Sequence, residues 1–169
     1  MISAIDITAP SISLEGKSIW LAQSLPVNAW QVLKAKLKVQ ILLSGVPALF
    51  CTLCGVFTLK MTLAESLITI AIIAIYTLLA AVFGLVLGLK MPNLTWTNEI
   101  TPIKQGGSVM FAMFGGWAYA LLLAGLYLLL GWRIGAAVYL ALFSAATIAA
   151  ALALLKWLKT KGAQRLAAL

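Results

Sequence analysis

The chain contains no histidine and only four acidic residues, Asp6, Glu15, Glu65 and Glu99. A His-based metal site or a Ser–His–Asp relay is therefore beyond its means. A two-carboxylate site would need two of the four in one pocket. The apolar runs between them are expected to hold them apart at water interfaces. Two other groupings have residue types that can do chemistry. Gly16-Lys17-Ser18 has the ending of a phosphate-binding loop, but the full pattern needs a glycine where Ser11 stands and a buried strand before it. Cys51 and Cys54 form a C-x-x-C pair inside an uncharged apolar run. A redox pair needs an accessible thiolate stabilised by nearby positive charge, and hydrocarbon offers neither. At i, i+3 spacing the two thiols are expected to share a helix face and pack. No catalytic residue, cofactor or metal site is expected.

The elements that must position any site follow from composition. Hydrophobic residues make up 63% of the chain and charged residues 9%, whereas soluble domains are about half apolar and a quarter charged. A chain of 169 residues has too little interior to hide that surface from water. Four uncharged windows, 39–59, 66–89, 108–130 and 134–155, each have the roughly 20 helical residues needed to cross a hydrocarbon core of about 30 Å. Backbone groups in lipid have no water partner, so these windows are predicted to be helices. They show none of the alternation of a β-barrel. The predicted fold is an all-α polytopic membrane protein. A cytoplasmic, amphipathic segment (1–38) precedes a four-helix transmembrane domain (39–155) and a basic cytoplasmic tail (156–169). Residues 1–13 lack the basic and apolar regions of a signal peptide.

The net charge of +8 lies between the apolar runs, not in a patch on a polar surface, which argues against nucleic acid as a partner. Lys17, Lys34, Lys36, Lys38, Lys90, Lys104, Lys156, Lys159, Lys161 and Arg165 fall on one predicted side, against Lys60 and Arg133 on the other. The first group is expected to be cytoplasmic. Both termini would then face the cytoplasm from a bacterial-type plasma (inner) membrane.

Within the lead, Pro10 and Pro26 are expected to separate a short helix over 11–24 from a second one over 29–38 capped by Asn28. Leu14, Ile19, Trp20 and Leu21 would be the apolar contacts of the first helix. Trp20 and Trp30 suit the headgroup level, so the lead is expected to lie on the membrane and bend at Leu25–Pro26. Gly84 and Gly88 form a G-x-x-x-G pair that lets backbones approach closely, and Gly115-Gly116 suggests another tight contact. Both are expected to pack within the chain. Pro47 is a kink candidate in the first span. Asn93-Leu94-Thr95 matches a glycosylation pattern but falls on the cytoplasmic side. No span carries a charge, which disfavours an ion-coupled transporter.

Two stretches resemble a known family. Glu15, Leu25, Pro26, Val27, Leu33 and Lys36 occupy positions similar to a cytoplasmic segment of ABC-2 type transporter permeases, although Gly16 stands where that family has an Arg. Pro92, Trp96, Asn98-Glu99 and Lys104-Gln105 resemble the loop of an ABC exporter permease branch. The resemblance implies the C-terminal portion of a membrane-spanning permease, not itself an enzyme and without a cofactor. Its partners would be an ABC ATPase subunit, the remaining permease helices or a second permease half, and the lipid bilayer. Glu15, Lys17, Trp20, Leu21, Leu25, Pro26, Val27 and Lys36 would then couple to the ATPase. Gly84, Gly88, Gly115 and Gly116 would pack the spans. The alternative is a stand-alone membrane scaffold or an oligomeric passive pore. A membrane oxidoreductase built on Cys51 and Cys54 ranks behind both.

Overall fold

The computed structural model describes residues 6–16, 28–94, 96, 106–131 and 135–167. Among these residues the chain is all helix, and four helices are long and apolar enough to cross a membrane. A short helix, α1 (Thr8–Glu15), precedes α2 (Ala29–Leu59), α3 (Leu63–Lys90), α4 (Gly107–Leu126) and α5 (Ala136–Trp157). A π-helical turn, Tyr127–Gly131, prolongs α4, and a second, Leu158–Gly162, joins α5 to a terminal turn, α6 (Ala163–Ala167). The central helix is α3, against which α1, α2, α4 and α5 all pack.

The boundary expected at residue 38 falls inside one continuous helix. Leu33, Leu37, Gln40 and Ser44 are buried at helical spacing, while Lys34 and Lys38 point outward. Because the inward face continues unbroken past Lys38, nothing stops the helix there. At the start of α2, Gln31 Oε1 accepts from the Asn28 N–H at 3.2 Å. The helix ends at Lys60, whose φ of 49° puts it in the left-handed region. Thr62 and Glu65 then form a capping box that starts α3, with Thr62 N–H to Glu65 Oε2 at 2.9 Å.

The hydrophobic core lies at one end of the bundle. Ile12, Leu33, Leu37, Val82, Leu85, Leu89 and Leu158 meet there, with Leu166 of α6 closing it. This is also the basic end, where Lys34, Lys38, Lys90, Lys156, Lys159, Lys161 and Arg165 are all exposed. Toward the opposite end α2 presents Leu42, Phe50, Phe57 and Leu59 outward, as a lipid-facing helix does. Cys51 and Cys54 are exposed on that helix, so the packing expected for them is not found.

Candidate functional site

Of the helix expected over 11–24, only the part up to Gly16 falls among the described residues, and there the structure has α1. It begins earlier and ends at Glu15, where Gly16 takes a φ of 43°. Pro10 does not divide the lead but sits in the first turn, where a missing N–H costs nothing. Nor does this part of the lead lie on the surface. Thr8, Ala9, Pro10, Ile12 and Ser13 are buried, and α1 occupies a groove along α3. Thr8 reaches the Ala81 carbonyl, nine residues inside Lys90 and therefore about 14 Å along the helix.

Glycine makes this depth possible. A Cβ on Gly88 would lie 2.6 Å from the Ala9 carbonyl oxygen, and one on Gly84 would collide with the Asp6 carboxylate. The G-x-x-x-G pair thus receives the backbone of α1. Gly115 instead accommodates the Phe83 ring, 2.8 Å from where its Cβ would be. Gly116 offers its carbonyl to the Tyr76 hydroxyl at 3.1 Å.

Each neighbour of α1 holds it. From α2, the Gln40 side chain accepts from the Ile7 N–H at 2.9 Å, and the Lys36 ammonium donates to the Ser11 carbonyl at 3.2 Å. From α4, the Ser108 hydroxyl donates to the Ala9 carbonyl at 3.2 Å. From the loop after α3, the Asn93 N–H donates to Ser13 Oγ at 3.0 Å, and the Trp96 indole N–H donates to the Ser13 carbonyl at 2.5 Å. The Trp96 ring then covers Gly16, which has no room for a Cβ. Such contacts satisfy carbonyls that a helix end leaves open.

Two of the expected coupling residues meet here. Lys36 Nζ lies 2.7 Å from Glu15 Oε1, a partly buried ion pair, while Glu15 Oε2 is buried without a hydrogen-bond partner among the described residues. Trp96 meets the same helix end, and Pro92 adjoins Asn93, which also contacts it. Lys17, Trp20, Leu21, Leu25, Pro26, Val27, Asn98, Glu99, Lys104 and Gln105 lie outside the described residues.

The expectation that every carboxylate sits at a water interface is corrected by Asp6. Its Oδ1 accepts from the Thr8 N–H at 3.0 Å and the Ala9 N–H at 3.4 Å, the geometry of a helix cap. The Thr8 hydroxyl lies 2.5 Å from the same oxygen and 3.0 Å from the Ala81 carbonyl. Burial pushes the Asp6 carboxyl above its ordinary value of 3.8, opposed in part by the hydrogen bonds from Thr8 and Ala9. A protonated Asp6 would donate to Thr8 and free the hydroxyl proton for Ala81. The carboxylate also lines a cavity of about 140 Å³ with Tyr76, Phe83, Ala112, Gly116 and Tyr119. Sequence reading passed over Asp6 because it lies outside every span. The available signal was Asp-x-Thr ahead of a helical run, a capping pattern.

Compared with known proteins, residues 7–159 match the family described as "Putative ATP-binding cassette". The chain belongs to that family. No curated protein and no solved structure matched it. Membership in the ATP-binding cassette family corrects the reading as an ABC-2 exporter permease, which rested on two short stretches while the match runs through all four spans. It likewise corrects the assignment of ATP chemistry to a separate ABC ATPase subunit, the expected remaining permease helices or second permease half, and the expectation of a non-enzyme. The stand-alone scaffold or pore gains no support from it either. The ATP implied by the family's description finds no fitting cradle among the described residues. Helix, not strand, leads into Gly16, and the Trp96 indole covers that glycine. No group of three or more metal-ligating side chains gathers among the described residues.

Proposed function

We propose that this chain is a membrane-embedded element of an ATP-binding cassette system, in which α1 links the basic face of the bundle to its spans. The observation that carries this reading is the seating of α1. Hydrogen bonds link Ile7 and the eight residues of α1 to α2, α3, α4 and the loop after α3, so a shift of α1 must move several spans together. Because α2 is one helix of 31 residues that continues through Pro47, a force applied at Lys36 is carried along a single element toward the far side of the membrane. The Glu15–Lys36 pair is the natural point of entry, being a single charge contact beside a carboxylate oxygen that has no hydrogen-bond partner among the described residues.

In this reading the basic end is cytoplasmic, as the excess of lysine and arginine there supports, and both termini share that side of a bacterial-type plasma membrane. Lys17, Trp20, Leu21, Leu25, Pro26 and Val27, together with Asn98, Glu99, Lys104 and Gln105, lie outside the described residues and are included in this proposal as further coupling residues. The test is thiol labelling of an Ile12→Cys variant, with Cys51 and Cys54 replaced by Ser, in native membranes with and without Mg-ATP. The reading expects ATP to change the labelling rate and Lys36→Met to abolish that change. A rate indifferent to ATP, ADP and their absence would sink it. A direct photo-crosslink between azido-ATP and the purified chain would show that the nucleotide site is on this polypeptide.

A further inference from the structure

The cavity beside Asp6 has a composition that selects its ligand. One oxygen of the carboxylate, Oδ1, is engaged by Thr8 and Ala9, whereas Oδ2 accepts no hydrogen bond from the described residues, and no cation among them pairs with Asp6. The only described ion pair is Lys36 with Glu15. The remaining walls are apolar or aromatic. Tyr76 and Tyr119 stack there with ring centroids 6.1 Å apart and planes 17° from parallel, and Phe83 adds a third ring. The Tyr76 hydroxyl is turned onto the Gly116 carbonyl at 3.1 Å, and the Tyr119 hydroxyl lies 2.6 Å from Thr147 Oγ1.

These features exclude most ligands. An anion would meet a carboxylate with no compensating donor among the described residues. A hard metal ion needs six or so oxygens, and one carboxylate in a ring-lined space does not supply them. A neutral apolar molecule would leave the carboxylate's charge unanswered in a medium that penalises it. An organic ammonium group answers the charge and gains attraction from the ring faces. The volume, about 140 Å³, is close to the roughly 150 Å³ that admits a single benzene-sized ring. We propose that this cavity is a binding site for a small organic cation, an ammonium group on one ring or a short alkyl body, held by Asp6 and the Tyr76–Tyr119 pair.

The same two tyrosines also line a second cavity of about 120 Å³ with Leu123, Tyr139, Phe143 and Thr147. The Tyr76–Tyr119 stack therefore forms the wall between two chambers that follow one another through the bundle, and among the described residues only the chamber at the basic end carries a carboxylate. The cation site is thus the inner of the two. Nothing in this assignment depends on where ATP binds.

The experiment uses the whole chain in lipid nanodiscs and two probes of one shape, benzylammonium and benzyl alcohol, each titrated calorimetrically at neutral pH. The site predicts tighter binding of benzylammonium by roughly tenfold to a hundredfold, the range for a hydrogen bond to a charged group. Asp6→Asn keeps a capping side chain of similar strength and should erase that preference. Ala112→Leu, which fills the cavity from α4, should weaken both probes and guards against a folding defect in the first variant. Equal affinity of the two probes for the unmodified chain would overturn the proposal. So would a preference that survives Asp6→Asn, or binding unaffected by Ala112→Leu.

Discussion

A single methyl group at Gly88 should unseat α1. The Cβ of Gly88→Ala would stand 2.6 Å from the Ala9 carbonyl oxygen, where carbon and oxygen ordinarily approach to about 3.3 Å. Ala9 belongs to the backbone of a helix, so relief requires α1 to move bodily by about 0.7 Å. That shift stretches the Ser108–Ala9 bond from 3.2 Å and the Thr8–Ala81 bond from 3.0 Å past useful hydrogen-bonding range. Two hydrogen bonds at about 1 kcal/mol each, plus a share of overpacking strain of about 1–2 kcal/mol, give a cost of about 3–4 kcal/mol for seating α1. Every 1.4 kcal/mol is tenfold, so the open state should become roughly 100 to 1,000 times more populated. Hydrogen–deuterium exchange of the 8–15 segment in nanodiscs reads this directly, because exchange of a docked helix follows its local opening. Gly55→Ala is the control, since nothing lies within 4 Å of its Cβ position. If Gly88→Ala exchanges no faster than the unmodified chain, or no faster than Gly55→Ala, the reasoning from the glycine groove is wrong.

Three further outcomes follow from the same site. Lys36→Met removes the cation beside Glu15 and should destabilise the docked α1 by about 1–2 kcal/mol, a figure discounted from the buried-pair range for partial exposure. Glu15→Gln should recover part of that loss in the double variant, as a double-mutant cycle on the same exchange data would show. Because folding raises the Asp6 carboxyl above 3.8, the folded state holds its proton more tightly than the unfolded one. The stability this group contributes is therefore complete below pH 3.8 and is lost as pH rises through the folded value. Thermal unfolding against pH should show that decline and Asp6→Asn should flatten it; an identical slope in the two proteins would contradict the placement of Asp6. Trp96→Phe removes the indole donor to Ser13 and should speed exchange at the C-terminal end of α1 by about fivefold, equivalent to about 1 kcal/mol, while leaving the spans unchanged.

The spans were legible because their signal is additive. A run of about 20 uncharged residues is decisive whatever its neighbours do, and each of the four runs overlaps an observed helix. The continuity of α2 was legible in principle, since Leu33, Leu37, Gln40 and Ser44 repeat on one face, but the lysines between them suggested a surface segment. Thr62 and Glu65 carry a plain capping box three residues apart, and reading it would have started α3 at Leu63. The seat of α1 could not be read from its own residues. Its sequence mixes Thr, Ser, Pro and Ile with no apolar face, and what buries it is the absence of side chains elsewhere, at Gly84 and Gly88. A glycine pair says that something approaches closely, but not which segment, because the partner is chosen by shape across 75 or so residues of chain. The Asp6 cavity shares this difficulty, since its members come from the lead, α3 and α4 and have no common spacing.

The account stands or falls on whether α1 lies inside the bundle. Ala9→Cys, Ile12→Cys and Lys161→Cys, each in a chain lacking Cys51 and Cys54, can be treated with a membrane-impermeant maleimide from the basic side. Ala9 and Ile12 are fully buried and Lys161 is exposed, so the first two should resist the reagent while the third reacts readily. If Ala9→Cys and Ile12→Cys are modified as fast as Lys161→Cys, the helix lies on the membrane surface and the glycine groove does not hold it.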